Sequence, residues 1–267
     1  MLTPRINFKN FNIKKKLNKN LKKKLKFLLK ENNDILKSLG KNYKNTFNKK
    51  NLIEYKKYTN FRVIGMGGSI LGTQAIYDFL INKINKNFIF VNNLQSNIKK
   101  DNKKKFANLV VSKSGETIET IVNSNLLIKK KDKNIFITEN KDSYLYLLAN
   151  KLKADVIHHN NFIGGRYSVL SEVGMLPAEL MGLNSNHFKQ FNNLIKDKKF
   201  LNSLVLNVTC MLHFINKKKF NSILINYDEK SKNLFNWYQQ LIAESLGKKG
   251  KGLLPIVSNM PKDNHST

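Results

Sequence analysis

A glycine-rich stretch with a single serine is the first feature of this sequence that could do chemistry. Residues 63–72 read Val-Ile-Gly-Met-Gly-Gly-Ser-Ile-Leu-Gly, an apolar run followed by glycines and a helix-like segment. Glycine lets the backbone approach a ligand closely, and a helix start offers unpaired N–H groups. The stretch predicts a phosphate cradle around Gly68 and Ser69, with an ordinary strand-to-helix turn as the open alternative. It is not a dinucleotide fingerprint, because Ile70 replaces the third glycine.

Three hydroxyls and an ammonium group lie together at residues 112–117, which read Ser-Lys-Ser-Gly-Glu-Thr. This composition suits a phosphate, because hydroxyls and a helix N-terminus donate hydrogen bonds while a lysine supplies charge. We therefore predict that Ser112, Lys113, Ser114 and Thr117 bind phosphate. The alternative is that Ser114 or Thr117 only caps the helix that follows.

Arg166 follows two glycines, Gly164 and Gly165, in a chain whose basic residues are nearly all lysine. The other arginines are Arg5 and Arg62. Arginine has a planar, permanently charged fork that lysine cannot replace. Arg166 is therefore a candidate for binding an anionic group, and a structural ion pair is the alternative.

A glutamine and a glutamate lie four residues apart at Gln240 and Glu244, which places them on one face of a helix. A carboxylate beside an amide is a candidate general base with a positioning partner. A solvated acidic residue before a glycine cap at Gly247 is the alternative. His265 stands in a polar loop and, from spacing alone, belongs to a frayed tail. The remaining histidines are interpreted as structural: His158, His159, His187 and His213.

Short apolar runs that alternate with helical patterns must position these residues. Strands are predicted at 61–64, 88–91, 109–111, 134–138 and 155–158, with helices at 71–81, 117–129 and 143–151. This alternation predicts an α/β fold with a parallel sheet covered by helices on both faces. Both candidate phosphate loops follow strand ends, so we expect them to face one crevice.

The later part of the sequence is mainly helical and then returns to an alternating pattern. Helices are predicted at 175–183, 187–195 and 201–214, a strand at 221–227, a helix at 232–246 and an apolar run at 254–257. This order indicates the start of a second α/β unit.

The charge of the chain is strongly positive, with a formal net charge of +30 over 267 residues. The excess is lysine spread along the chain beside abundant asparagine, which A/T-rich codons would produce on any surface. A reader of nucleic-acid bases would need many arginine forks. We therefore predict no nucleic-acid partner, although a basic nucleic-acid binder is kept as an alternative. Leucines between residues 17 and 29 predict an amphipathic helix that packs on the protein, with a membrane surface as the alternative.

No apolar run is long enough to span a bilayer, and the N-terminus lacks the apolar core of a signal peptide. The one cysteine, Cys210, lies among apolar residues and cannot form an internal disulfide. We predict a cytoplasmic protein with no membrane partner.

Taken together and in order, these motifs resemble the glucose-6-phosphate isomerase family. The resemblance covers roughly residues 61–267 and leaves out the lysine-rich start. It rests on the glycine stretch, on the 112–117 loop continued by Glu119-Thr120, on Gly164-Gly165-Arg166-Tyr167-Ser168-Val169-Leu170-Ser171 with Gly174 and Pro177, and on 240–252 followed by Leu254-Pro255.

The resemblance implies the interconversion of glucose 6-phosphate and fructose 6-phosphate through an enediolate, by a homodimer without metal or other cofactor. Glu244 would move the proton between C2 and C1, Arg166 would stabilise the developing charge, and Gln240 would position the substrate. His265 would help to open the sugar ring and would reach the site of the partner subunit. The phosphate would be held by Ser69, Ser112, Lys113, Ser114 and Thr117, with Gly68 and Gly165 also lining the substrate site.

The same resemblance predicts a three-layer α-β-α sugar-isomerase (SIS) domain followed by an incomplete second one. The expected division is a helical extension at 1–50, a first SIS domain at 51–184 and the start of a second at 185–267. The family continues beyond the position of His265, so we expect low or no activity from this chain alone. A non-catalytic SIS module that binds a sugar phosphate is the alternative function, and an isomerase that also accepts mannose 6-phosphate is another.

Overall fold

The computed structural model describes residues 6–12, 16–94 and 105–265. The first five strands are β1 (Asn60–Gly65), β2 (Asn87–Val91), β3 (Phe106–Val111), β4 (Lys133–Thr138) and β5 (Asp155–His158). They form one parallel sheet in the order β2-β1-β3-β4-β5. The predicted parallel sheet is therefore confirmed, with all five predicted strands present.

The helices flank this sheet and continue beyond it. They are α1 (Lys19–Leu28), α2 (Asp34–Ser38), α3 (Ile53–Lys56), α4 (Leu71–Phe79), α5 (Ile118–Leu127), α6 (Tyr144–Leu152), α7 (Glu172–Leu180), α8 (Phe191–Leu194), α9 (Lys198–Asn216) and α10 (Lys232–Leu246). Helices α4 and α7 pack on one face of the sheet, and α5 and α6 pack on the other. The predicted three layers are present.

The two faces follow from the alternation of side chains along the central strands. Phe61 and Val63 of β1 point into the core shared with α4 and α7, whereas Ile64 points into the core shared with α5 and α6. Every residue of β3 is buried, as expected for a central strand with both faces covered. The stacked rings of Phe61 and Phe88, with centroids 4.7 Å apart, join β1 to β2.

The amino-terminal segment is attached to the rest of the protein at several points. Helix α1 has no fully buried residue and contacts α9. Further along, Tyr43 donates a hydrogen bond from its hydroxyl to Glu172 at 3.1 Å, and Lys49 forms an ion pair with Glu179 at 2.6 Å. The segment between α2 and β1 therefore packs against the helix that follows the main sheet.

A second, two-stranded parallel sheet joins β6 (Asn221–Asn226) to β7 (Leu254–Asn259). Helix α10 connects these strands and contacts both β7 and α4. The strand predicted at 221–227 is thus confirmed, the apolar run at 254–257 lies in β7, and α10 has the predicted bounds.

The continuous helix predicted at 187–195 is wrong. The chain forms a 3-10 turn at Ser185–His187 and then the four-residue helix α8. Two local interactions explain the break. The Asn184 side chain accepts from the backbone N–H of Asn186, an interaction that favours turns over helix interiors. The buried Lys189 ammonium donates towards Tyr43 and Asn45 of the amino-terminal segment.

Within the described residues, no helix is long and apolar enough to cross a membrane. Arg5, which the sequence analysis counts among the arginines, lies outside the described residues.

Candidate active site

The carboxyl ends of β1 and β3 define the crevice of the main sheet. The chain leaves β1 to form β2 on one side, while β3 pairs with β1 on the other side. Such a reversal of strand order opens a crevice in α/β sheets. Gly65 and Val111, the last residues of β1 and β3, are partners in the register. The two loops predicted to face one crevice therefore start side by side.

The glycine turn after β1 allows close contact with two other parts of the site. Gly67 has a φ of +53°, and a Cβ on it would lie 2.7 Å from Nε2 of Gln240. A Cβ on Gly68 would lie 2.4 Å from both the backbone N of Arg166 and the carbonyl carbon of Gly165. Gly68 has no room for a Cβ against the backbone of the Arg166 turn, whereas at Gly67 the positive φ is what favours glycine.

The loop after β3 gathers its hydroxyls immediately before α5. The Oγ of Ser112 lies 2.9 Å from Oγ1 of Thr117 and accepts a 3.2 Å hydrogen bond from the backbone N–H of Gly115. The Oγ of Ser114 accepts from the N–H of Glu116 at 3.2 Å. The predicted phosphate-binding hydroxyls therefore share one turn at a helix N-terminus, a favourable place for an anion.

Lys113 points to the neighbouring segment of the chain. Its ammonium donates to the carbonyl oxygen of Asn161 at 2.6 Å and lies 3.6 Å from a carboxylate oxygen of Glu139, which Lys141 also contacts at 3.0 Å. Burial tends to raise the pKa of Glu139, but the two lysines outweigh it and leave that pKa lowered. A bound phosphate would compete with Glu139 and Asn161 for the Lys113 charge.

Helix α10 brings a carboxylate, an amide and a hydroxyl to the turn that carries Arg166. The guanidinium Nη1 of Arg166 lies 3.3 Å from Oε2 of Glu244, and its Nε donates to Oγ of Ser245 at 3.0 Å. Gln240 donates from Nε2 to Oε1 of Glu244 at 2.6 Å. The three residues predicted to act on the reacting carbons are therefore in direct contact.

Two side chains that the sequence analysis does not single out complete this cluster. The Tyr167 hydroxyl lies 2.8 Å from Oγ of Ser245, and the Arg166 guanidinium lies 4.6 Å from the centre of the Tyr167 ring. The hydrogen bond with Ser245, together with the charge of Arg166, lowers the pKa of Tyr167. Each residue directly follows a predicted site residue in the sequence, which is the one signal that could have indicated it.

The indole of Trp237 fixes the backbone of the same turn. Its Nε1–H donates to the carbonyl oxygen of Arg166 at 3.1 Å. Trp237 lies one turn before Gln240 on α10, so a single helix face supports both the backbone and the side chain of Arg166.

His265 is not joined to this cluster by hydrogen bonds among the described residues. It is exposed and ends a 3-10 turn, Lys262–His265, that follows β7. In residues 105–265, no hydrogen bond or ion pair joins it to Arg166 or Glu244. The described residues also contain no group of three or more His, Cys, Asp or Glu side chains arranged for a metal ion.

The arrangement has the parts needed for moving a proton on an anionic substrate. A partly exposed carboxylate faces the crevice, a guanidinium beside it can stabilise an oxyanion, and hydroxyls and N–H groups at a helix start can hold a phosphate. Together, the parallel α/β fold and the arrangement of these loops are those expected of a SIS-type domain.

Comparison with known proteins gives the family. Residues 30–252 match the family described as phosphoglucose isomerase. The chain therefore belongs to the phosphoglucose isomerase family. Because the match begins at residue 30, the expectation that the first fifty residues take no part in the resemblance is wrong. His265 lies beyond the matched residues.

Individual relatives agree with this family. The glucose-6-phosphate isomerase of Methanocaldococcus jannaschii is 34% identical over 81% of this chain and 58% of its own length. Those of Acholeplasma laidlawii and Campylobacter jejuni are 35% and 32% identical over 80% of this chain, and 56% and 58% of their own lengths are covered. The chain thus spans a little more than half the length of these curated relatives.

Solved structures show the same fold. A Thermus thermophilus protein described as hypothetical is 22% identical to this chain and has a TM-score of 0.71. The match covers 92% of this chain and 65% of the Thermus chain. The tagatose-6-phosphate ketose/aldose isomerase of Escherichia coli is 16% identical to this chain and has a TM-score of 0.53. The match covers 81% of this chain and 61% of the Escherichia coli chain.

Proposed function

We propose that this chain carries an aldose–ketose isomerase site that interconverts glucose 6-phosphate and fructose 6-phosphate. The observation that carries the proposal is the contact of Arg166 with Glu244 at 3.3 Å, beside Gln240. A module that only binds a sugar phosphate needs the phosphate loop alone. A carboxylate paired with a guanidinium is what proton transfer next to a carbonyl requires.

The phosphate end of the substrate would be bound by the two loops after β1 and β3. Ser69, Ser112, Ser114 and Thr117 would donate hydrogen bonds, with the N–H groups around Gly68 and at the start of α5. Lys113 would supply the countercharge after leaving Glu139, which keeps Lys141 as its partner. This end of the substrate does not react, and it orients the rest of the molecule.

The reacting end would lie against Arg166 and Glu244, which contact each other at 3.3 Å. The Glu244 carboxylate would take the proton from C2 of the open-chain aldose, so that a C1–C2 double bond forms and negative charge develops on oxygen. Arg166 would stabilise that charge. The hydroxyl proton on O2 would pass to O1, and the protonated Glu244 would return its proton to C1, which leaves a carbonyl at C2 and produces the ketose. Gln240, which donates to Glu244 at 2.6 Å, would position the substrate, and Gly165 would line the substrate site.

The remaining roles concern ring opening and assembly. We propose that His265 assists ring opening, and that two copies of the chain form a homodimer whose subunits each supply this histidine to the other's site. We also propose the division into an extension at 1–50, a first SIS unit at 51–184 and the beginning of a second unit at 185–267. The β6-α10-β7 pattern supports the beginning of a second unit at 185–267.

Two measurements on one set of proteins test the function. Glucose 6-phosphate is incubated with the wild-type chain, and the formation of fructose 6-phosphate is followed by NMR while calorimetry measures sugar-phosphate binding. We expect Glu244→Gln to bind the substrate and to lose conversion. Glu229→Gln removes the same charge at an exposed position outside the site and serves as the matched control.

The outcomes separate the proposed function from its alternatives. Binding by the wild type without any conversion would favour a sugar-phosphate-binding module. Absence of both, together with a steeply salt-dependent affinity for DNA, would favour a nucleic-acid binder.

A further inference from the structure

Arg166 lies in a loop whose two ends are hydrogen-bonded to each other. The loop starts at residue 160, shortly after β5, and ends at residue 172, the first residue of α7. The backbone N–H of Asn160 donates to Oε1 of Glu172, twelve residues later, at 2.8 Å. We refer to residues 160–172 as the Arg166 loop and to the contact between Asn160 and Glu172 as its base. The base holds together the two segments of chain that lead to and from Arg166.

The side chain of Asn160 uses both ends of its amide at this base. Its Oδ1 accepts from the backbone N–H of Phe162 at 2.9 Å, which forms an Asx turn at the start of the loop. Its Nδ2 donates to Oδ2 of Asp34 in α2 at 3.2 Å. A carboxylate in place of this amide could make the first contact but not the second, because an ionised carboxylate has no donor. The amide therefore joins the loop to the amino-terminal part of the chain.

Glu172 is a buried carboxylate that also bonds to the amino-terminal part of the chain. Its Oε1 accepts from Asn160, and its Oε2 accepts from the Tyr43 hydroxyl at 3.1 Å. Burial, together with the charge of Glu172, raises the pKa of Tyr43, so the hydroxyl keeps the proton that it donates. A buried carboxylate needs such donors because water cannot reach it. Neither Glu172 nor Tyr43 has a part in the proposed proton transfer.

Three residues of the segment at 34–46 contact the base or the chain next to it. Besides Asp34 and Tyr43, the Thr46 hydroxyl donates to the carbonyl oxygen of His158 at 2.7 Å, two residues before Asn160. This segment precedes the main sheet in the sequence, whereas the loop follows the last strand of that sheet. The loop is thus closed by a part of the chain that is far from it in sequence.

We infer that the segment at 34–46 positions Arg166 by closing the base of its loop, with Asp34 and Tyr43 as positioning residues. The inference rests on the proposed function, in which Arg166 stabilises the developing negative charge. In residues 16–94 and 105–265, neither Asp34 nor Tyr43 hydrogen-bonds to Arg166 itself. Their effect on Arg166 therefore passes through Asn160 and Glu172.

The other backbone contacts of Arg166 act at that residue and not on the ends of its loop. Trp237 donates to its carbonyl oxygen, and Gly68 packs against its backbone nitrogen. A loop with free ends samples more conformations, and the contacts at the base offset the entropy lost when the ends are held together. An open base would let the guanidinium move out of line with the reacting atoms, which lowers the rate of the chemical step.

Hydrogen exchange of the full chain, followed by mass spectrometry, tests the closed base without substrate. Tyr43→Phe removes only the hydroxyl, and we expect the amides of residues 160–172 to exchange roughly tenfold faster. Tyr55→Phe is the matched control, because the Tyr55 hydroxyl also contacts a carboxylate, that of Asp155, but at the amino end of β5. This control should leave exchange in the Arg166 loop within about twofold of the wild type.

An exchange of side chains between residues 34 and 160 provides a second test. Asn160→Asp sets a second carboxylate against Asp34 and should open the base. Adding Asp34→Asn in the same chain restores one donor, one acceptor and the original net charge. At saturating glucose 6-phosphate, movement of a deuterium label from C2 should slow roughly tenfold in Asn160→Asp and recover in the double variant.

The outcomes separate positioning from a merely structural role. Loop exchange that is equal in Tyr43→Phe and Tyr55→Phe would overturn the inference, as would a double variant that behaves like Asn160→Asp. Faster loop exchange with unchanged label movement would show that the base does not position Arg166. A wild type that moves no label would contradict the proposed function, whereas hydrogen exchange in Tyr43→Phe decides by itself whether the segment closes the loop.

Discussion

At the scale of single residues, the guanidinium of Arg166 is held by more than its ion pair. Ser245 accepts from its Nε, Tyr167 lies against its planar face, and Glu244 pairs with Nη1. An exposed ion pair alone fixes a side chain weakly. In the proposed function, Ser245 and Tyr167 would act as positioning residues that aim Arg166 at the developing oxyanion.

The first prediction concerns Ser245. Ser245→Ala should lower the turnover number roughly tenfold, which corresponds to about 1.4 kcal/mol of transition-state stabilisation. The dissociation constant of the sugar phosphate should stay within about twofold, because the phosphate loops are unchanged. Ser245→Thr keeps the hydroxyl and should retain most of the rate. A loss of affinity without a loss of rate would contradict the positioning role.

The second prediction concerns the buried cation Lys189. Burial lowers the pKa of Lys189 from 10.5 to about 8, although its ammonium lies 4.3 Å from the centre of the Tyr43 ring. Between these values the unfolded chain binds more protons than the folded one at this site, so this group makes the protein more stable as pH rises. Below pH 8 the buried charge destabilises the fold by roughly 3 kcal/mol.

Denaturant unfolding of the wild type and Lys189→Met at several pH values measures this effect. The stability difference should favour Lys189→Met most at pH 7 and shrink as pH rises from 8 to 10.5. Comparing the two proteins at each pH cancels the contribution of the other lysines. A difference that does not depend on pH would show that Lys189 keeps its ordinary pKa.

At the scale of elements, the active site depends on the contact between two turns. The turn after β1 and the turn that carries Arg166 approach so closely that Gly68 has no room for a methyl group. Helix α10 then packs over both turns through Gln240 and Trp237.

Alanine substitution of one glycine in each turn, Gly68 and Gly164, tests this contact. Gly68→Ala should displace the Arg166 turn, lower the unfolding free energy by about 1–3 kcal/mol and reduce turnover at least tenfold. Gly164→Ala is the matched control, because its Cβ would meet only Tyr167, at an ordinary 3.6 Å. Equal effects of the two substitutions on turnover would contradict the proposed close packing.

Most elements of this fold could be predicted from the sequence because their patterns are local. The period of α10 predicts its bounds, and the apolar run at 109–111 predicts the second half of the buried strand β3. The segment at 185–195 could not be predicted in this way. Its periodicity resembles a helix, but Lys189 is held by the distant residues Tyr43 and Asn45. Tertiary contacts of this kind leave no periodic signal in the sequence.

The site could be predicted to a similar extent. The types and spacing of Arg166, Gln240 and Glu244 indicate their chemistry, and the structure brings them into contact. The orientation of Lys113 towards Asn161 and the contact of Ser245 with Arg166 depend on how segments far apart in the chain meet. Spacing along the sequence carries no such information.

At the scale of the whole molecule, the site joins parts of the chain that are far apart. The phosphate loops follow strands of the main sheet, whereas α10 belongs to the β6-α10-β7 unit and reaches the site by packing on α4. The orientation of α10 on the main sheet therefore sets the distance between the carboxylate and the phosphate loops.

The net charge of +30 should act on substrate association over the whole surface. Raising the ionic strength from 0.01 M to 0.15 M shortens the Debye length from about 30 Å to about 8 Å. We therefore expect the association rate constant for glucose 6-phosphate, measured by stopped flow, to fall several-fold. The dissociation rate constant, which depends on short-range contacts, is the internal control. An association rate that does not change with salt would rule out long-range steering.

The most direct test of the central claim is hydrogen exchange at C2 of the sugar. Glucose 6-phosphate labelled with deuterium at C2 is incubated with the wild-type chain, and loss or transfer of the label is followed by NMR. Although little net turnover is expected from this chain alone, the contact of Arg166, Gln240 and Glu244 leads us to predict that the wild type moves the label from C2, to C1 or to solvent. We predict that Glu244→Gln does not move it, although it still binds the substrate. Retention of the label by a wild-type chain that binds the sugar phosphate, or its equal loss with Glu244→Gln, would contradict Glu244 as the base of an isomerase site.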